Sequence, residues 1–177
     1  MYIALGIIVL LIIVFVFIYN KLVSLNVRCK NAYASIDNQL KRRADLIPNL
    51  VEVTKGYAKH ESETLERIVL ARTNSISEQA KQSEEVTKSL KSLLAVSESY
   101  PELKANELFK NLQIELTGTE DKIAYARQFY NDSVQHLNTA IMTFPNNLIA
   151  SMFKFKEREY FEVSEEDKKV VKVQLWF

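Results

Sequence analysis

The run Met1 to Asn20, MYIALGIIVLLIIVFVFIYN, contains no charged side chain, and no other stretch constrains the chain as strongly. Wound as a helix at about 1.5 Å per residue, it covers about 30 Å, the thickness of a bilayer hydrocarbon core. Ile, Val, Leu and Phe recur on every side, so no face is left for water. A buried core helix would need partners that apolar all round. A cleaved signal peptide would need a basic n-region and a small-x-small exit, whereas this run leaves through Phe17, Ile18 and Tyr19. The expectation is an uncleaved anchor at residues 1–20, in contact with the lipid bilayer, with Tyr2 and Tyr19 as interfacial aromatics. Lys21, Arg28, Lys30, Lys41, Arg42 and Arg43 follow the run. By the positive-inside rule the chain is then a single-pass protein of the cell membrane, N-terminus outside and remainder cytoplasmic.

The remainder reads as helix. Gly and Pro occur three times each, too few for the turns of an all-β protein. With 23 basic and 22 acidic side chains the chain has no overall attraction for nucleic acid. Cys29 is the single cysteine, which rules out an intrachain disulfide. Leu22, Leu25, Cys29, Ala32, Ile36 and Leu40 recur every three or four residues and mark one buried stripe. In that stripe the Cys29 thiol is expected to be inert, its pKa raised by burial.

At Gln39 to Glu61 the local signals favour a helix hairpin. Lys41, Arg42 and Arg43 suit a helix C-terminus, Asp45 suits an N-cap, and Pro48 then falls in a first turn. The competing reading is one helix kinked at Pro48. Ile47, Val51, Ala58, Leu65 and Ile68 form the next stripe, with Thr54 and Glu61 in phase and needing polar partners. Arg127 is the expected partner of Glu61. Arg42, Arg43, Asp45, Glu61 and Arg127 are thus assigned to a polar interior, the basic cluster pairing with Asp45 or a facing helix. Gly56 is read as a close helix contact.

Thr73 to Glu85 is polar and is read as a solvated interhelical tip. Val86, Leu90, Leu93 and Leu94 restore the stripe, and Leu103, Phe109, Leu112 and Leu116 extend it past a break at Pro101, with Ser99 and Glu102 as a capping box. Gly118 is placed in the left-handed position after a helix end, with Thr119 to Asp121 opening the next helix. Ile123, Tyr130, Val134, Leu137 and Ile141 form its stripe, and Pro145 stops it. Tyr100, Tyr125 and Tyr130 are read as core tyrosines with hydroxyls at the rim. Leu148, Ile149, Met152 and Phe153 are expected to lay a short helix on the bundle. The alternation of Val171, Val173, Leu175 and Phe177 suggests an extended arm, folded back or offered to a partner. Phe155, Phe161, Leu175, Trp176 and Phe177 are the candidate partner contacts.

The stretch LKRRADLIPNLVEVTKGYAKHE resembles the central signature of the LemA family. Tyr100 to Ala105, Leu116 to Glu120, Ala126 to Asn131, Phe144-Pro145 and Leu148 to Ala150 agree in order. The resemblance implies an all-α protein with one N-terminal span followed by an antiparallel four-helix, coiled-coil-like bundle; with the residue patterns this gives a span at 1–20, a bundle over 21–144 and a tail at 145–177 packed on it, the tail departing most from the family pattern. It brings no enzymatic activity and no cofactor.

No GxSxG, HExxH, P-loop or dinucleotide fingerprint occurs. His60, Glu61 and Glu63 lack the second histidine of a zincin helix, and no Glu-x-x-His is present for a di-iron bundle. The expected function is therefore a non-enzymatic interaction or scaffold module at the membrane, acting on a membrane protein or on itself. The alternatives are a bundle enzyme, or an envelope-stress sensor, with no recognisable motif.

Overall fold

The structure is a computed structural model and describes residues 1–57 and 76–161, the Val96 side chain excepted. All regular structure among these residues is helical: α1 (Tyr2–Thr54), α2 (Ile76–Val96), a 3-10 turn (Ser97–Ser99), α3 (Pro101–Ala105), α4 (Glu107–Met142) and α5 (Asn146–Met152). They form two compact units. Among the described residues, one combines Met1–Asn38 with Ile123–Tyr160, the other residues of Gln39–Lys122 with Phe161.

The hairpin expected at Lys41 to Asp45 is absent, because α1 runs unbroken through Pro48. A proline inside a helix costs about 3 kcal/mol. Ile47, Leu50 and Val51 around it are at most 4% exposed, and each such burial contributes about 1.5–3 kcal/mol. Packing outweighs the broken local hydrogen bond. The helix ends instead at Thr54, whose buried hydroxyl donates to the carbonyls of Leu50 (2.8 Å) and Val51 (3.2 Å). Gly56 lies beyond that end in an exposed turn, and nothing stands within 4 Å of where its Cβ would be, so it serves no close contact.

Gly118 likewise lies inside a helix rather than after one, since α4 continues through it to Met142. Thr119 does not cap; its hydroxyl donates to the Glu115 carbonyl at 2.7 Å. The left-handed backbone belongs to Lys154, φ 56°, just past α5. The break at Pro101 is present, but Ser99 does not cap α3; Tyr100 holds the N-cap position without a side-chain bond. Asn106, which no local pattern singled out, caps α4 by accepting the N–H groups of Leu108 (2.9 Å) and Phe109 (3.2 Å). The expected polar tip is helical from Ile76, with Ala80 and Ser83 buried. Pro145 does follow the end of α4.

In the first unit, Ile18 and Leu22 of α1 cluster with Ala140 of α4 and with Ile149 and Ala150 of α5. Cys29, Ala32, Ile36, Ile123, Tyr130, Val134 and Leu137 are buried as their spacing predicts. In the second unit, Ile47, Leu50 and Val51 pack with Val86, Leu90 and Leu93 of α2, Leu103 of α3, and Phe109, Leu112 and Leu116 of α4.

Candidate functional site

Arg43 anchors the polar interior of the second unit at 4% exposure. Its Nη1 lies 3.0 Å from Glu120 Oε1, 3.1 Å from Thr87 Oγ1 and 3.2 Å from the Ser83 carbonyl; Nη2 donates to Ser83 Oγ at 3.0 Å. Thr87 Oγ1 in turn donates to Glu120 Oε2 at 2.6 Å. Burial pulls the guanidinium below its ordinary pKa, and the charge and hydrogen bond of Glu120 oppose that pull. The cluster joins α1, α2 and α4 and holds its one buried cation against a carboxylate.

The remaining residues assigned to that interior sit elsewhere. Arg42 and Asp45 are exposed, and Arg42 reaches Glu115 at only 3.9 Å with both side chains about half in water. Glu61 lies outside the described residues. Arg127 is half-buried on α4. The basic cluster therefore uses one member inward, toward a facing helix, because successive helical residues point about 100° apart.

In the first unit a second polar clasp holds the irregular segment after α5. Asn138 Nδ2 donates to the Arg158 carbonyl (3.0 Å), and the Arg158 N–H returns a bond to Asn138 Oδ1 (2.9 Å). The Arg158 guanidinium donates to Asn26 Oδ1 through Nη2 (2.9 Å) and Nε (3.2 Å). Tyr130, fully buried, donates its hydroxyl to the Glu159 carbonyl at 3.0 Å. Burial raises the Tyr130 hydroxyl, against the lowering by Arg158, and burial likewise raises the Cys29 thiol. Tyr100 and Tyr125 are not core residues; Tyr125 is 72% exposed.

The candidate partner contacts divide. Phe155 packs on the Ile18–Ala150 cluster and Phe161 is buried, so neither is a free surface aromatic. Leu175, Trp176 and Phe177, with the expected arm, lie outside the described residues. In the short helix α5 the packed residues are Ile149 and Ala150, while Leu148 and Met152 face outward. Rings do gather there: Phe153 lies 4.7 Å from Tyr19 and 6.0 Å from Phe15. Beside them Lys21, Gln135, His136, Thr139, Thr143 and Asn146 line an open groove. Among the described residues, no group of three or more His, Cys, Asp or Glu side chains is placed to hold a metal ion.

Long helices, polar clasps between them and one N-terminal helix long and apolar enough to cross a membrane define the class, an all-helical protein among the described residues. The LemA family model matches residues 32–175, and the chain belongs to the LemA family. It is 27% identical over 162 residues to Protein LemA of Metamycoplasma hominis, covering 86% of this chain and 74% of that relative. It is 36% identical over 70 residues to Magnetosome protein MamQ 2 of Paramagnetospirillum magneticum, covering 40% of this chain but only 26% of that protein's length. Magnetosome protein MamQ of Magnetospirillum gryphiswaldense matches at 35% over 69 residues, 39% of this chain and 25% of the relative.

Proposed function

We propose that the chain is a single-pass membrane protein whose residues 1–20 stay in the bilayer, and whose helices beyond them form an antiparallel four-helix bundle on the cytoplasmic side. The bundle acts by binding a membrane protein or a second copy of itself, as a scaffold rather than an enzyme. The carrying observation is the use of the apolar run. An 18-residue window of α1 is only 6% buried, and Met1 to Val14 are exposed throughout, which leaves those side chains to lipid. Yet Phe15, Ile18 and Tyr19, at the end of the same run, are built into the cluster with Ala140, Ile149 and Ala150. Removing the run as a leader would strip that cluster of three members.

Mass analysis of the chain extracted from membranes, combined with protease treatment of intact and lysed spheroplasts, tests it. The expected result is an unprocessed N-terminus resistant to carbonate extraction, with the bundle cleaved only after lysis. Crosslinking in native membranes is expected to recover a reproducible partner or self-oligomer. A product trimmed near Asn20, or a chain that crosslinks to nothing under any condition, would refute the anchor or the scaffold role respectively.

A further inference from the structure

Between Leu137 and Phe153 the chain carries no charged side chain, although 25% of its residues are Asp, Glu, Lys or Arg. That run ends α4, turns at Phe144-Pro145 and forms α5. Its large apolar side chains are not all used by the fold. Phe144 is 74% exposed, Leu148 62%, Met142 61% and Met152 59%. Together they form an apolar tip of four large side chains, each more than half exposed, the kind of surface that marks an interaction site.

The position of this tip identifies what covers it. Ala140 and Ile149 pack on Ile18 and Leu22, and the Phe153 ring lies against Tyr19 and Phe15. Phe15 is five residues inside the Asn20 end of the apolar run, which is about 7 Å of helix. Interfacial elements bury their apolar faces by about 5–10 Å. The tip thus lies alongside the inner end of the span and continues its bare apolar surface sideways. Cationic groups follow both apolar stretches: Lys21 comes directly after the apolar run, and Lys154 and Lys156 come after the tip. That order, apolar then cationic, matches acyl chains followed by phosphate headgroups.

We infer that the Met142–Phe153 tip is a second membrane contact, a wedge inserted into the leaflet of the bilayer that Phe15 and Tyr19 enter, with phospholipid as its occupant. The inference rests on the anchor reading above. Two contacts fix the rotation of the first unit about the span axis, which a single span leaves free. The wedge adds no second crossing, because its run is too short and turns back on itself.

Site-directed spin labelling of the full chain tests it, after reconstitution into vesicles of phosphatidylcholine and phosphatidylglycerol. In a Cys29→Ala background, Phe144→Cys and Leu148→Cys report the tip independently, Ile12→Cys the span and Tyr125→Cys an exposed aqueous site. Labels at Phe144 and Leu148 are expected to shift from the water-like accessibility of Tyr125 toward that of Ile12, colliding with oxygen more than with a nickel chelate. Water-like labels at both tip positions with a lipid-like Ile12 would overturn the wedge while leaving the anchor intact. A water-like Ile12 would overturn the anchor and the wedge with it. Tip labels shielded from both oxygen and nickel would assign the surface to a protein partner and overturn the lipid assignment.

Discussion

Arg43 Nη1 and Glu120 Oε1 stand 3.0 Å apart, 77 residues distant in sequence, and tie α1 to α4 inside the second unit. The arginine side chain is 5% exposed and the glutamate 24%, so the two ends of the pair are not equally dispensable.

Removing the carboxylate leaves a buried cation with only neutral acceptors. Glu120→Ala is expected to destabilise the chain by about 2–4 kcal/mol, whereas Arg43→Met, which fills the space without a charge, costs less. Denaturant unfolding of both variants in detergent checks the order. A smaller loss for Glu120→Ala than for Arg43→Met would mean that water reaches the guanidinium.

Asn138 is 6% exposed and makes two hydrogen bonds to the backbone of Arg158. Asn138→Ala leaves both backbone groups short of a partner, at about 1–3 kcal/mol. The local consequence is release of residues 155–160. Limited proteolysis is expected to cut there first in the variant and elsewhere in the parent; an unchanged cleavage pattern would contradict the clasp.

Gly118 sits within α4 without a positive φ, and a Cβ there would meet nothing within 4 Å. Gly118→Ala is therefore expected to stabilise by about 0.5–1 kcal/mol, the difference in helix propensity. Were Gly118 a left-handed helix terminus, the same change would destabilise, so the sign of the change in thermal midpoint separates the two.

Burial holds the Cys29 thiol and the Tyr130 hydroxyl above their ordinary values of 9.0 and 10.0. Both are neutral when protonated, so the folded state keeps protons that the unfolded chain releases. Their contribution is complete below those ordinary values and is lost as pH rises through the raised ones. The denaturation midpoint is expected to fall as pH rises past the ordinary thiol value of 9.0, and to fall less in Cys29→Ala. An equal fall in both chains would remove Cys29 from the explanation.

Period-three-and-four spacing located the buried faces well. Leu22, Cys29, Ala32, Ile36, Val86, Leu90, Leu93, Leu116, Ile123 and Tyr130 are all buried where their stripes put them. Punctuation was less legible. Pro48 and Gly118 have the local chemistry of helix ends and lie inside helices, while Lys154 takes a left-handed backbone with no glycine to announce it. Polar partners were least legible of all. Arg42 and Arg43 are equivalent on paper, and only Arg43 meets Ser83, Thr87 and Glu120. No pattern within five residues of Asn26, Asn138 or Arg158 shows that they will meet, since their contacts span 20 and 132 residues.

The amino-acid sequence by itself determined that this chain is helical, that its first twenty residues are uniformly apolar, and which face of each helix turns inward. Those properties follow from side-chain chemistry repeated along one segment. Tertiary structure alone decided where helices end, which cation is buried, and that the Phe144–Leu148 surface lies beside the apolar run. Each of those outcomes depends on contacts between distant segments, whose burial contributes several kcal/mol against the one to three kcal/mol, roughly, of a proline, a glycine or a cap.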